Sequence, residues 1–313
     1  MYFEFEGNPD LTWGDAIWWS VVTMTTVGYG DFFPTTFWSR WLVGAPTMFL
    51  GIGLLGYLLS LVGTAMLESK ALEVKGLKDI TSENHVVVCG FGSEDRLIKL
   101  VNEIQRESED TEIVLIEPEF EELPASIRKL GISFVRGDAS RESMLEQANI
   151  TQARAIIIQA DPDESGRDVD DHSLKIALAI RCYAPKVFVV AECLSPENVR
   201  FFERAQCDSV VCVAQMSEQI LVRELQDRGV SEIISQLTSN ARGKQFYIID
   251  TKPGESFSTY RDARKAYARE GQVPVGIRRN GNNELLPADK FALDSGDQLI
   301  VIAAKRPAQA ATS

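Results

Sequence analysis

The chain of 313 residues is 45% hydrophobic and 25% charged, with a net charge of −13 at pH 7, a size that suits two or three domains. So acidic a balance argues against a nucleic-acid partner. The mean hydropathy of −0.07 conceals a split, because only about the first 70 residues have membrane-like composition. All five cysteines, Cys89, Cys182, Cys193, Cys207 and Cys212, fall after that part without CxxC spacing, and they read as small core residues in a reducing cytosol.

Met1 to Asp10 is too short and too acidic for a signal peptide or a spanning helix. Leu11 to Val22 reads as a short helix with Asp10 or Thr12 as its N-cap. Thr26-Val27-Gly28-Tyr29-Gly30 follows, and here the chain resembles the potassium channels, whose selectivity filter is built from this backbone-carbonyl sequence. Four copies of Thr26 to Gly30 would offer a dehydrated potassium ion stacked rings of carbonyl oxygen, completed by the Thr26 hydroxyl. Gly28 and Gly30 permit the dihedrals that turn successive carbonyls toward one axis. The resemblance makes the preceding helix a pore helix, its negative dipole end toward the ion path. It also makes Trp18 a donor to Asp31, so that the two brace the filter from behind. Val22 departs from the pattern, since several relatives have a glutamate there.

Trp41 to Leu67 carries no charge over 27 residues and reads as a pore-lining inner helix. Gly51, Gly53 and Gly56 lie mid-span after Pro46, where they serve either as a gating hinge or for close helix packing. Two-helix channels have an outer helix before the pore helix, and the expectation is that the given sequence starts late. Glu4, Glu6 and Asp10 would then form an acidic outer rim that concentrates cations. Orientation follows from the filter, with mild support from Lys70, Lys75 and Lys78 just beyond the inner helix, and the resemblance implies a prokaryotic plasma membrane with the rest of the chain on its cytoplasmic side. The expected divisions are a pore module at 1–67, a charged linker at 68–84 acting as a tether, stiff if the helix continues through Glu73 and a string if it is extended, and from 85 onward a soluble part.

In that soluble part, Val86 to Cys89, Ile113 to Ile116, Ile132 to Val135, Ala155 to Ile158, Val187 to Val190 and Val210 to Val213 read as six buried strands alternating with amphipathic stretches. The first such stretch starts at Ser93, a candidate N-cap, and sets Leu97, Leu100, Val101 and Ile104 at helical spacing. This is the pattern of an α/β doubly wound, Rossmann-like sheet. With Arg136-Gly137-Asp138-Ala139 and Ser295 to Val301, it resembles the regulator-of-potassium-conductance (RCK) domain up to about Arg306. The resemblance implies an N-lobe at 85–213, crossover and dimerisation helices at 214–242, a small α+β C-lobe at 243–306 and a tail at 307–313. The C-lobe reading includes strands at Phe246 to Ile249 and Gln298 to Ala303 and a turn at Asn280 to Asn283.

Two ligand classes suit the N-lobe. Gly90-Phe91-Gly92-Ser93-Glu94-Asp95 keeps two glycines of a dinucleotide turn between strand and helix, the third being replaced by Asp95, whose charge Arg96 can offset. Glu117 stands where an acidic residue holds ribose hydroxyls, and Asp138 lies near the same crevice. These residues suit NAD, ADP or another adenine nucleotide, although the same turn also persists in folds with an empty crevice. Ca2+ is the rival. Asp161 to Glu164 with Asp168, Asp170, Asp171 and His172 is oxygen-rich but lacks EF-hand spacing, which also fits a solvated loop. By resemblance to calcium-gated relatives, the metal ligands would be Asp170 and Glu192, with Leu194 where a third carboxylate belongs.

The resemblance implies a ligand-gated potassium channel subunit, a homotetramer at the pore, with RCK domains dimerising into a gating ring. Rings of relatives hold eight such domains, so four more would come from a second domain lost from this chain or from a separate copy starting at Met66. A non-conducting regulatory subunit is an alternative. An NAD-dependent enzyme on a membrane anchor is another, but neither of the two histidines supplies a proton-transfer group beside a nicotinamide, so no enzymatic activity is expected.

Overall fold

In a computed structural model the described residues are 12–160, 166–241, 243–250, 257–269 and 271–307. Glu4, Glu6, Asp10 and Asp161 to Glu164 lie outside them, as does the side chain of Asp168. The chain divides into two compact units at Val74/Lys75.

The first unit starts with helix α1 (Trp13–Met24), capped by Thr12. The Thr12 hydroxyl accepts the Asp15 N–H while the Asp15 carboxylate accepts the Thr12 N–H at 2.7 Å, a reciprocal cap worth about 1 kcal/mol. Further on, helix α2 (Phe37–Ser39) runs through a π-helical turn at Arg40–Gly44 into α3 (Ala45–Val74). The π turn directly precedes Pro46, which has no N–H to give to Leu42 and whose ring would crowd that carbonyl in an α-helix. The widened turn accommodates the proline, with the Ala45 N–H donating to the Arg40 carbonyl instead. The resulting 38-residue helix is long and apolar enough to cross a membrane, and only 6% of its apolar window is buried within the chain. Leu50, Phe49, Leu59 and Leu67 are all exposed, so the helix needs lipid or other subunits to cover it.

The helix runs through Glu73 to Val74, beyond the expected end at Leu67. The charged linker at 68–84 therefore has two different halves, the first of them the helical alternative. Its first seven residues extend the inner helix, and the remainder packs into the second unit. There the Gly76 carbonyl accepts the Arg136 N–H (2.9 Å) and the Gln147 side-chain amide (3.0 Å), and the Ser82 carbonyl accepts Asn149 Nδ2 (3.1 Å). Gly76 is at φ +67°, and a Cβ on it would lie 2.5 Å from the Arg136 nitrogen, so this approach requires glycine.

The second unit begins with strand β1 (Val86–Cys89) and helix α4 (Glu94–Glu107), followed by β2 (Ile113–Glu117), α5 (Ala125–Arg128), β3 (Ser133–Arg136) and α6 (Glu142–Gln147). Then come β4 (Ala155–Ile158), α7 (Gly166–Tyr183), β5 (Phe188–Cys193), α8 (Val199–Arg204) and β6 (Ser209–Cys212). The six strands pair in parallel in the order β3-β2-β1-β4-β5-β6, the doubly wound arrangement. Val87, Val114, Ile156 and Val189 face one core with Leu145, Ile180 and Phe202, while Val88 and Leu115 face another with Leu97, Val101 and Ile127. Burial of each of these side chains contributes about 2 kcal/mol of transfer free energy.

Helices α9 (Val213–Gln226) and α10 (Val230–Thr238) follow, joined at Gly229, where Glu224 caps α10 by accepting the N–H groups of Gly229 and Ser231, both at 2.8 Å. The C-lobe is an antiparallel sheet of β7 (Gln245–Asp250), β10 (Gln298–Ala303), β8 (Val273–Arg279) and β9 (Asn282–Leu285), in that spatial order, with α11 (Tyr260–Arg269) packed on it. Asn280 and Gly281, both at positive φ, close the β8–β9 hairpin. Glu103 on α4 accepts the Asn240 N–H (2.7 Å) and the Ser239 hydroxyl (3.0 Å), and Glu107 at its end accepts Arg306 Nε (2.8 Å).

Candidate functional site

In the first unit, Thr26, Gly28 and Gly30 have φ of +62°, +56° and +77°, whereas Val27 and Tyr29 are not at positive φ. Alternation between left-handed and ordinary backbone sends successive carbonyls to one side of the strand, which a uniform extended chain cannot do. Thr26 joins the two glycines in this, at the strain of a β-branched residue in left-handed conformation. The end of α1 anchors the segment. The Val27 and Gly28 N–H groups both donate to the Val22 carbonyl, at 3.0 and 3.2 Å.

Trp18 Nε1 donates to Asp31 Oδ2 at 2.9 Å, and its ring stacks on Tyr29 with centroids 6.0 Å apart. Asp31 also accepts the Phe32 N–H at 3.0 Å. The Val22 side chain is buried, so this site is apolar, and Asp31 takes its partners from Trp18 and the backbone.

Of the three inner-helix glycines, Gly51 is a packing position. A Cβ there would come 2.3 Å from Met24 Cα and 2.6 Å from the Met24 carbonyl oxygen. Gly53 and Gly56 have nothing within 4 Å of such an atom, and α3 is α-helical throughout.

In the second unit, a crevice opens where β1 and β4 send their connections to opposite faces, the position at which open α/β sheets bind ligands. It encloses a cavity of about 90 Å3 lined by Gly90, Phe91, Glu117, Gln159, His172 and Ser173, among others. Gly90 is at φ +88° and packs so closely on the Gln159 carbonyl that a Cβ would lie 2.5 Å from that oxygen. Glu117 is 6% exposed and accepts the Glu119 N–H at 3.1 Å. The buried Oε1 of Gln159 has no hydrogen-bond partner among the described residues, so the crevice has an acceptor for a ligand N–H or O–H. Cys89 beneath it is held neutral, since burial and then the Glu117 carboxylate push its thiol up to about 12.

Asp138 stands beside His172 at 3.7 Å. Burial works to raise its pKa, but the Ser140 N–H and hydroxyl, with His172 and Arg141, hold the carboxyl below its ordinary value. Ser93 caps α4 by accepting the Arg96 N–H at 3.3 Å, and Asp95 is exposed and not among the cavity residues.

Arg96 does not stand free to offset charge at the turn. Its Nη2 donates to Glu192 Oε1 at 2.5 Å and its Nη1 to the Ala160 carbonyl at 3.0 Å, while Glu192 Oε2 accepts the Ala160 N–H at 3.0 Å.

The two residues expected as a metal pair have protein partners of their own. Asp170, 2% exposed, accepts from the Leu194 N–H (2.9 Å), the Ser195 N–H (3.0 Å) and Asn198 Nδ2 (2.7 Å), so it organises the loop after β5. Glu192 holds Arg96. No group of three or more metal-ligating side chains occurs among the described residues.

Residues 1–68 match the ion channel family model and residues 86–213 match the TrkA-N domain. The calcium-gated potassium channel TvoK of Thermoplasma volcanium is 26% identical over 96% of this chain and 87% of its own length. An ion channel domain and a TrkA-N domain thus share one chain, which is similar along nearly its whole length to a potassium channel. Potassium channel protein 1 of Methanocaldococcus jannaschii is 25% identical over 76% of the chain and 70% of its own length.

Among solved structures, the human SLO3 gating ring superposes with a TM-score of 0.57 at 14% identity, over 71% of this chain and 44% of that one. The GsuK channel bound to NAD superposes at 0.50 with 15% identity, over 96% of this chain and 53% of that one. These likenesses are of fold, and the chain spans about half the length of the solved GsuK chain.

In this potassium channel, sequence reasoning missed the Arg96–Glu192 pair and the Thr26 conformation. The pair joins residues 96 positions apart, and no local pattern marks it.

Proposed function

We propose that the chain is a ligand-gated potassium channel subunit whose RCK N-lobe binds an adenine nucleotide in the crevice at Gly90, Gly92 and Glu117. The crevice at the sheet's switch point carries this reading, because it combines a glycine turn, a buried carboxylate at the end of β2 and the unpartnered Gln159 acceptor. The GsuK channel, of the same fold, has been solved bound to NAD. Ser93 and Arg96 sit at the phosphate end of the turn, and Asp138 borders the ribose end. Potassium passes through four copies of Thr26 to Gly30 in a homotetramer in the prokaryotic plasma membrane, with the RCK domains in the cytoplasm forming a gating ring of eight. Nucleotide drives gating only through its difference in affinity between ring conformations.

ADP added to liposomes containing the full chain is expected to change potassium flux. Glu117→Ala removes a charged acceptor for ribose hydroxyls and is expected to weaken ADP binding by roughly tenfold to a hundredfold in calorimetry. Unchanged affinity would show that the ribose lies elsewhere.

The exposed side chains on α9, Leu221, Val222 and Leu225, with Leu225 at 85%, supply the apolar face for a neighbouring RCK domain. Leu225→Asp places a charge there. The expected outcome is basal flux without a nucleotide response, and a full response in the variant would remove this face from the ring.

A further inference from the structure

The second glycine of a dinucleotide turn lacks a side chain so that a pyrophosphate can approach the backbone. In this chain that place is already filled. A Cβ built on Gly92, at φ +64°, would meet Arg96 Nη1 at 3.0 Å and the Ala160 carbonyl oxygen at 3.2 Å, so the guanidinium lies directly against the glycine. Two groups hold it there, the Ala160 carbonyl at 3.0 Å and the Glu192 carboxylate at 2.5 Å. Glu192 is itself fixed by the Ala160 N–H at 3.0 Å, and its side chain is 13% exposed against 35% for Arg96. The carboxylate is therefore the more enclosed member, anchored also to backbone, and the guanidinium the more exposed one.

A phosphate arriving at Gly92 meets a cation whose charge is already neutralised. It gains the charge-assisted, bidentate contact that arginine offers phosphate only by taking the guanidinium from Glu192.

We propose that Glu192 is an intramolecular competitor for the phosphate of the crevice ligand, and that the Arg96–Glu192 pair sets both the affinity for nucleotides and the discrimination between phosphorylated and unphosphorylated ligands. The inference rests on the nucleotide reading of the crevice. Adenosine has no phosphate, leaves the pair intact, and binds without regard to Glu192. ADP has to break the pair and is penalised by it.

The test is calorimetry of the full chain in detergent with ADP and with adenosine, on the wild type and on Glu192→Gln, Arg96→Gln and the double variant. Glutamine keeps an acceptor for the Ala160 N–H and removes the charge. Glu192→Gln is expected to tighten ADP binding about tenfold and to leave adenosine binding unchanged. Arg96→Gln is expected to weaken ADP binding, and adding Glu192→Gln to it should change nothing further, because the competitor then has nothing to hold.

If the wild type binds ADP and Glu192→Gln binds it equally or more weakly, Glu192 merely positions Arg96 and the competition is overturned. A Glu192→Gln effect that persists without Arg96, or that extends to adenosine, also overturns it. Binding of ADP by neither the wild type nor Glu192→Gln overturns the nucleotide reading and this inference together.

Discussion

Gly30→Ala is expected to abolish potassium-selective flux while leaving the protein folded. Gly30 is at φ +77° with nothing within 4 Å of a Cβ built on it, so the substitution strains the backbone without creating a clash. Left-handed backbone costs an L-residue about 1–2 kcal/mol, which in the proposed four-subunit pore becomes about 4–8 kcal/mol. That strain falls on carbonyl positions whose spacing determines which dehydrated ion is held. The proposed filter would relieve it by rotating the peptide, which takes a carbonyl off the axis. Gly63→Ala is the control, since Gly63 also has open space but is helical and not at positive φ. Potassium and sodium efflux from liposomes decides it: Gly63→Ala retains selectivity, and a selective Gly30→Ala channel would refute the filter assignment.

Gly51→Ala is expected to disrupt the pore unit itself. Its methyl carbon would lie 2.3 Å from Met24 Cα, a backbone atom at the end of α1 that cannot rotate away as a side chain would. The helices have to separate, at the 1–3 kcal/mol or so typical of overpacking per subunit, and the filter is anchored at the displaced end. Gly53→Ala and Gly56→Ala meet no obstacle and gain about 1 kcal/mol of helix propensity each. Thermal unfolding of the detergent-solubilised oligomer separates the roles. A lower midpoint for Gly51→Ala alone fits packing, whereas altered gating in Gly53→Ala or Gly56→Ala with an unchanged midpoint assigns the hinge to those two. A Gly51→Ala channel with wild-type melting and flux would refute the packing role.

The N-lobe was legible because strands buried on both faces of a parallel sheet read as unbroken apolar runs, and Val86–Cys89 and Ala155–Ile158 have the expected limits. β5 runs on to Cys193, past the expected Val190, because Glu192 within it interrupts the apolar run yet is held by Arg96 and Ala160. The segment after Leu67 was harder to read. Charged residues with few apolar neighbours suggest a tether, and only the fold brings Gln147 and Asn149 to the carbonyls of Gly76 and Ser82. The ligand site was half legible. Its glycines and Glu117 stand at motif spacing, but the partners of Arg96 and Asp170 come from just after β4, from β5 and from the loop after it, and nothing local announces them.

Helix α4 begins at the crevice and ends at the C-lobe. Ser93 and Arg96 stand at its start, while Glu103 grips Ser239 and Asn240 beyond α10, and Glu107 grips Arg306 just after β10. Fourteen helical residues span about 21 Å, and a stiff rod of that length magnifies angle into distance. A tilt of about 5° about the crevice end carries the far end by nearly 2 Å. That approaches the length of a hydrogen bond, enough to move the anchors at Asn240 and Arg306 from one set of partners to another.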